Sequence, residues 1–354
     1  MKFPQDPPEA FVTDERLSKQ QQERIDARQA DRLAASPEHA SGDAPADSAA
    51  GETGVVISHL RREIEVMPMG ADAESVRCFL RATVPPVVTG DRVLFEREAG
   101  EDRARGVIVA QLPRSSLLSR HTPRGLRPVC ANLDLLLITI ASEPAPHADL
   151  VDRYLLAAEL DELDAVIVVN KHDRLDDAGR DALEALLAPW IALAIPVFRV
   201  SAHSGLGLDA LRAALAGRTA AFVGQSGVGK SSLINALVPA AAAETGTLST
   251  KLNRGRGRGR HTTSTTRLYR AGDAVIVDSP GIREFAPDVP DEATLVRGFP
   301  EIAAAALGCR FRDCAHEVEP DCAVRAALAS GAIAAARMAS FRTLRGALLN
   351  PPNH

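Results

Sequence analysis

Apolar and polar positions alternate differently in successive parts of the chain. Between residues 53 and 128 the apolar positions come in short β-type runs at 55–57, 64–67, 76–80, 92–95 and 106–112. Gly70, Pro85-Pro86, Thr89-Gly90-Asp91 and Gly100 separate them as turn signals. Five short strands so close together predict a small closed barrel, for which the OB-fold is the candidate. From 129 to 289 strand-like and helix-like patterns alternate, which predicts an α/β domain with a mainly parallel sheet and helices on both faces. Strands are expected at 133–140, 165–169, 197–200, 220–223, 267–270 and 274–277, and helices at 150–160, 181–187, 208–215 and 232–237. Residues 290–354 end in an Ala-rich helical pattern over 323–349 that carries Arg325, Arg337, Arg342 and Arg345. Residues 1–52 lack such periodicity and read as a polar leader: a short helix over 16–33 on a thin stripe of Leu17, Ile25 and Leu33, then a linker.

Composition narrows the class. Hydrophobic residues make up 45% and charged residues 25% of the 354, enough apolar material for a packed core in more than one domain. A net charge of -5 gives no overall attraction to nucleic acid, so any such binding needs local basic patches. Arg103, Arg105, Arg114, Arg120, Arg124 and Arg127 form one candidate patch, with a solvated loop as the plain alternative. The first ten residues do not resemble a secretory signal, and the longest apolar run, 186–198, is too short to span a bilayer and contains Pro189 and Pro196. A cytoplasmic protein without membrane association is expected.

The chemistry centres on Gly224-Gln225-Ser226-Gly227-Val228-Gly229-Lys230-Ser231, which has the form G-x-x-x-x-G-K-S between a predicted strand and a predicted helix. Glycines let successive backbone N–H groups converge on phosphate oxygens, and the helix N-terminus adds its positive end. Residues Gly224 through Ser232 are therefore the candidate phosphate site, with Lys230 reaching the β- and γ-phosphates and Ser231 a Mg²⁺ ligand. Asn170-Lys171-His172-Asp173 matches N-K-x-D at a strand end, and Ser201-Ala202 follows the next strand. A carboxylate at Asp173 can accept from guanine N1–H and N2–H₂, a donor pair that adenine lacks. The Lys171 stem can lie against the base, Asn170 can tie loops together, and Ala202 or Ser201 can offer a backbone N–H to guanine O6. Alone, N-K-x-D is equally a capping turn; beside a phosphate loop it is specific. Asp278, after the apolar strand at 275–277, is placed to hold Mg²⁺ through water, and the Gly281 N–H to meet the γ-phosphate.

These motifs run out of the usual order, with N-K-x-D first, then the phosphate loop, then Asp-x-x-Gly, which is a circular permutation. The position after Gly281 is Ile282, where many GTPases carry the glutamine that orients water. The loop Arg254-Gly255-Arg256-Gly257-Arg258-Gly259-Arg260-His261-Thr262-Thr263 lies where the first switch would be. His261 is the candidate to orient water, making it and Lys230 the candidate catalytic residues. Thr263, slightly ahead of Thr262, is the candidate Mg²⁺ ligand. The arginines could instead bind RNA phosphate, or the loop have no catalytic part. Cys309-x4-Cys314-x-His316-x5-Cys322 supplies a closed Cys₃His set, typical of one structural zinc and without an open position for catalytic water. Cys78 and Cys130 stand apart and read as core residues.

Taken together, the barrel, the permuted GTPase with GQSGVGKSS, GRHTT and DSPGIREF, and the cysteine–histidine finger resemble the ribosome small-subunit-dependent GTPase A family, known as RsgA or YjeQ, over roughly residues 16–345. The resemblance implies a GTPase that cycles between GTP and GDP with Mg²⁺, binds the small (30S) ribosomal subunit and its rRNA late in maturation, and leaves after hydrolysis that the subunit stimulates. It also implies that His261 matches that family's proposed catalytic histidine. The alternating Arg-Gly run at 254–260 departs from the family by being more basic than the loop requires. A monomer is expected. The alternatives are an RNA-binding module that uses GTP as a structural ligand, and a GTPase switch directed at a protein or another RNA.

Overall fold

The structure is a computed structural model, and it describes residues 51–60, 63–69, 74–98, 105–122, 125–238, 267–278, 287 and 289–349. The leader up to residue 50 and the loop carrying His261, Thr262 and Thr263 lie outside the described residues, as do Gly281 and Ile282.

Strands β1 (Glu52–Leu60), β2 (Glu63–Pro68), β3 (Val76–Leu80), β4 (Arg92–Arg97) and β5 (Arg105–Gln111) coincide with the five predicted runs. They close into a barrel in the order β1-β2-β3-β5-β4. Only β3 and β5 run parallel; the other neighbours are antiparallel. Successive side chains point to opposite faces, so alternate positions such as Ile64, Val66 and Pro68 turn inward. Val56, Val66, Cys78, Val93, Phe95 and Ile108 fill the interior, and burial pushes the Cys78 thiol up to about 12, which leaves it a small apolar filler.

After the barrel the arginine-rich stretch forms a hairpin, β6 (Leu117–Thr122) and β7 (Gly125–Ala131), that the sequence pattern does not reveal. The predicted boundary at 128/129 falls inside β7. Arg114 does not belong to a free basic patch. Its Nε and Nη2 reach the two carboxylate oxygens of fully buried Asp91 at 2.7 and 2.8 Å. That fork fixes the barrel to the segment leading into the next domain. Arg105 and Arg127 remain exposed.

The central sheet contains β8 (Leu135–Ala141), β9 (Asp164–Asn170), β10 (Val197–Arg199), β11 (Thr219–Val223), β12 (Arg267–Ala271) and β13 (Ala274–Asp278). Their order is β10-β9-β8-β11-β13-β12, all parallel except the edge strand β12. Every residue of β8 is buried, as expected of a central strand covered on both faces. Helices α1 (Ala148–Leu160) and α2 (Asp177–Ala192) pack on one face, and α3 (Leu208–Leu215) and α4 (Lys230–Leu237) on the other.

The C-terminal region has α5 (Glu292–Val296), α6 (Pro300–Ala306), α7 (Ala323–Ser330) and α8 (Ala335–Leu349). The single helical pattern read over 323–349 is thus two helices. Gly331 ends α7 with φ +79°, the left-handed conformation that favours glycine, and Ile333 turns inward before α8 begins. No helix among the described residues is long and apolar enough to cross a membrane.

Candidate functional site

The motif residues meet at the C-terminal ends of the parallel strands, where ligand sites of open α/β sheets form. The phosphate loop leaves β11 at Gly224 and enters α4 at Lys230. Gly224 (φ +130°) lies so close to β8 that a Cβ would stand 2.1 Å from the Thr139 carbonyl oxygen. At Gly229 (φ +94°) a Cβ would stand 2.3 Å from the Asn170 amide nitrogen. Only glycine fits these two positions, because of both the backbone conformation and the neighbours. The Lys230 ammonium, on a side chain only 6% exposed, donates to the carbonyls of Gly224 at 2.6 Å and Gln225 at 2.7 Å. Ser231 and Ser232 are exposed in the first turn of α4. Gln225, Ser226 and Gly227 complete the loop, while Val228 is buried beneath it.

Asn170 ends β9 and joins three loops. Its amide donates to the Val228 carbonyl at 2.9 Å, and its carbonyl oxygen accepts the Ala202 N–H at 3.1 Å. The N-K-x-D loop, the phosphate loop and the Ser-Ala loop are thereby held in one register by a single buried side chain. Lys171 adopts φ +61° and donates to the carbonyls of Glu143 and Gly227, both at 2.8 Å. Sequence reasoning does not find Glu143, since a backbone carbonyl leaves no side-chain signal. Asp173 is exposed in a short 3₁₀ turn, and a hydrogen bond from the Ser201 hydroxyl holds its carboxyl below the usual carboxylate range. The same Ser201 oxygen accepts from the backbone of His203 at 3.2 Å and Ser204 at 3.0 Å. An anionic acceptor with a fixed orientation results, which suits a pair of N–H donors on a ring edge. Asp278 closes β13; the register Ala221↔Val277 brings it level with the end of β11, beside the loop.

The second cluster is Cys309, Cys314, His316 and Cys322, whose ligand atoms all lie within 4.8 Å of one another. Cys309 Sγ is 3.8 Å from Cys322 Sγ, and His316 Nδ1 is 3.6 and 3.5 Å from those two sulfurs. Tetrahedral zinc bonds require ligand separations of about 3.8 Å between sulfurs and about 3.6 Å between sulfur and nitrogen. The donor set therefore fits a zinc ion in spacing as well as in softness. Burial lowers the His316 pKa, which favours the neutral ring that ligation needs. Glu319 organises the loop by accepting the N–H groups of Ala315, Glu317 and Val318. Metal analysis of the purified chain is expected to give one zinc, and a strong chelator to make the region around Cys309–Cys322 sensitive to protease. Resistance unchanged after the metal is stripped would count against a structural ion.

A phosphate loop, N-K-x-D and Asp-x-x-Gly carried in permuted order on a doubly covered parallel sheet, behind an OB-like barrel, define a circularly permuted GTPase. Comparison with known proteins agrees. The RsgA GTPase family model matches residues 111–287. A Pseudomonas aeruginosa protein named small ribosomal subunit biogenesis GTPase RsgA is 45% identical over 329 residues, 92% of this chain and 93% of that protein. The crystal structure of YjeQ from Thermotoga maritima superposes with a TM-score of 0.65 at 28% identity, covering 84% of this chain and 99% of that one. The structure of YloQ, described as a circularly permuted GTPase, gives a TM-score of 0.63 at 23% identity over 86% of this chain and 98% of its own, a likeness of fold. This chain belongs to the RsgA GTPase family, and it hydrolyses GTP.

Proposed function

We propose that this GTPase acts in ribosome biogenesis by binding the small (30S) subunit and its rRNA late in maturation, and that the subunit stimulates its hydrolysis of GTP to GDP and phosphate. The observation that supports the nucleotide half most directly is the Asn170 side chain, which joins the guanine-type and phosphate-type loops into one site. The ribosomal half rests on the similarity to the Pseudomonas aeruginosa protein and on its name.

In this reading Asp173 selects guanine, with Lys171 against the ring and Ser201-Ala202 near O6. The loop from Gly224 to Ser232 and the Lys230 ammonium hold the phosphates. Ser231, Thr263 and Asp278 hold Mg²⁺, which when bound offsets negative charge on the β- and γ-phosphate oxygens. Gly281 meets the γ-phosphate. Water adds to the γ-phosphorus as the bond to the β-phosphate oxygen breaks, and His261 orients that water in place of the usual glutamine. One zinc bound by Cys309, Cys314, His316 and Cys322 clamps the C-terminal module. The leader (1–52), the barrel (53–128), the GTPase domain (129–289) and the zinc module (290–354) divide the work, with the barrel and zinc module gripping rRNA. The chain works as a cytoplasmic monomer.

The test is single-turnover GTP hydrolysis by wild type and His261→Ala, with purified small subunits, large subunits or no addition. Small subunits alone are expected to accelerate wild type. His261→Ala is expected to bind GTP normally and lose about 10²-fold or more of the accelerated rate. Equal stimulation by large subunits or bulk RNA would redirect the function to another partner. A wild-type rate in His261→Ala would remove the histidine from the mechanism.

A further inference from the structure

The barrel and the central sheet meet along a seam that encloses a cavity of about 280 Å³. Among the described residues, none of the nucleotide motifs and none of the Cys₃His set lines it. One wall is the outer face of the barrel. Val56 of β1 points into the barrel, so Val55 turns outward, and the antiparallel register sets Met67 of β2 opposite it. A register shift between Val56 and Ser58 brings Ile57 to the same wall. The other wall is the sheet at its β12 edge. Tyr269 and Ala271 pack against the sheet's own core, so Leu268 and Arg270 face the other way. The registers Thr219↔Val275 and Arg270↔Val275 form a row across three strands on that face.

The lining has one sign of charge. Arg92 and Arg270 line the cavity, and no carboxylate does so among the described residues. Arg92 is half-buried, with Nη2 3.9 Å from Met69 Sδ, and Arg270 is exposed. Most of the remaining surface is aliphatic or thioether, and Val55, Ile57, Met67, Leu268 and Val275 are each left half-buried. Apolar surface left open in a concave seam between domains, with a few convergent polar groups, is the usual character of a ligand site. Such a lining suits an occupant with an apolar body and one anionic group. A guanidinium can hold a carboxylate through two parallel N–H···O bonds. A nucleotide suits it less well. No aromatic ring lines the cavity for a base to stack on. The Asn132 amide that could read a base edge is engaged at both ends, donating to the Gly90 carbonyl at 2.8 Å and accepting the Ser115 N–H at 2.9 Å.

We propose that this seam is a second binding site, for a small aliphatic carboxylate whose chain lies against Ile57, Met67 and Leu268 and whose carboxylate meets Arg270 and Arg92. The inference goes beyond the GTPase assignment and does not rest on the ribosomal reading.

The chain's four methionines allow a direct test. Met67 and Met69 line the cavity, while Met338 is buried in the core of the C-terminal helices. Methyl NMR of the full chain, labelled with [¹³C-methyl]methionine, zinc-loaded and saturated with GDP, therefore reads the site against an internal control. Octanoate is expected to shift the Met67 and Met69 signals saturably, with a midpoint below about 10 mM, the affinity usual for a ligand of about ten heavy atoms. Met338 should not move. Octan-1-ol, which keeps the chain and lacks the charge, should bind at least about fivefold more weakly. Arg270→Gln should weaken octanoate by about fivefold, the effect of losing one charged hydrogen bond on an exposed side chain. An unchanged Met338 signal in that variant shows that the fold is kept. Absence of a saturable shift at Met67 and Met69, including because the chain's own residues fill the seam, overturns the site, as does an equal shift at Met338. Octan-1-ol binding as tightly as octanoate, or wild-type octanoate affinity in Arg270→Gln, overturns the anionic class. Uridine 5′-monophosphate binding more tightly than octanoate would make the seam a nucleotide site and overturn the carboxylate.

Discussion

Lys230→Ala should lower single-turnover GTP hydrolysis by about 10²–10³-fold at saturating nucleotide, the range found when one preorganised electrostatic group is removed from a site where charge develops. Lys230 sits at the first position of α4, largely shielded from water, with its ammonium steered by two loop carbonyls. In such surroundings a positive charge opposite phosphate oxygens interacts far more strongly than it would in solvent. Alanine leaves the loop backbone and the Asn170 tether in place, so guanine recognition should survive while phosphate affinity and rate fall together. Lys230→Arg should not rescue, because a planar fork cannot occupy the space that a point charge fills between the Gly224 and Gln225 carbonyls. The measurement is rapid-quench hydrolysis of radiolabelled GTP. A loss below about tenfold would mean that another cation carries the phosphate charge.

For stability the largest loss is expected at Arg337→Met, about 3–5 kcal/mol, the usual consequence of removing one partner from a buried ion pair. Asp152 and Glu301 would be left facing an apolar side chain, and the Gly298 carbonyl would lose its donor. Burial already raises the Asp152 pKa, and Arg337 opposes that rise. Without the arginine the folded-state value climbs further above the unfolded one. An acid whose pKa is raised in the folded state contributes least above that raised value and becomes favourable as pH falls through it. The variant's deficit relative to wild type should therefore shrink on acidification. Urea unfolding of both proteins at several pH values checks the sign, and a deficit that does not change with pH would mean that Asp152 keeps its charge by drawing in water.

The barrel and the sheet were legible because their strands bury one or both faces. Alternation at Ile64 and Val66, or the continuous run of β8, follows from that burial. The hairpin at 117–131 was not, because exposed Arg127 and Pro128 interrupt a strand pattern beside buried Cys130. The motif residues of the site were legible from spacing at strand ends, since backbone geometry alone carries Gly224, Asn170 and Asp278 together. The ion pair that joins α1 to the C-terminal helices was not. Asp152 and Arg337 are 185 positions apart, and on its own helix Arg337 looks like Arg342 or Arg345, a surface cation. Local patterns report which face of an element is covered, but not which distant polar group has been covered with it.

The close fit of Gly298 against Leu156, where a Cβ on the glycine would stand 2.8 Å from Leu156 Cβ, has a practical outcome for anyone cutting the chain. A fragment ending at 289 would present Leu156 and Leu160 to water beside a carboxylate stripped of its counter-ion, a surface prone to self-association. The seam between the catalytic region and the region carrying the Cys₃His cluster is therefore a seam of sequence, and the two should unfold in one cooperative step.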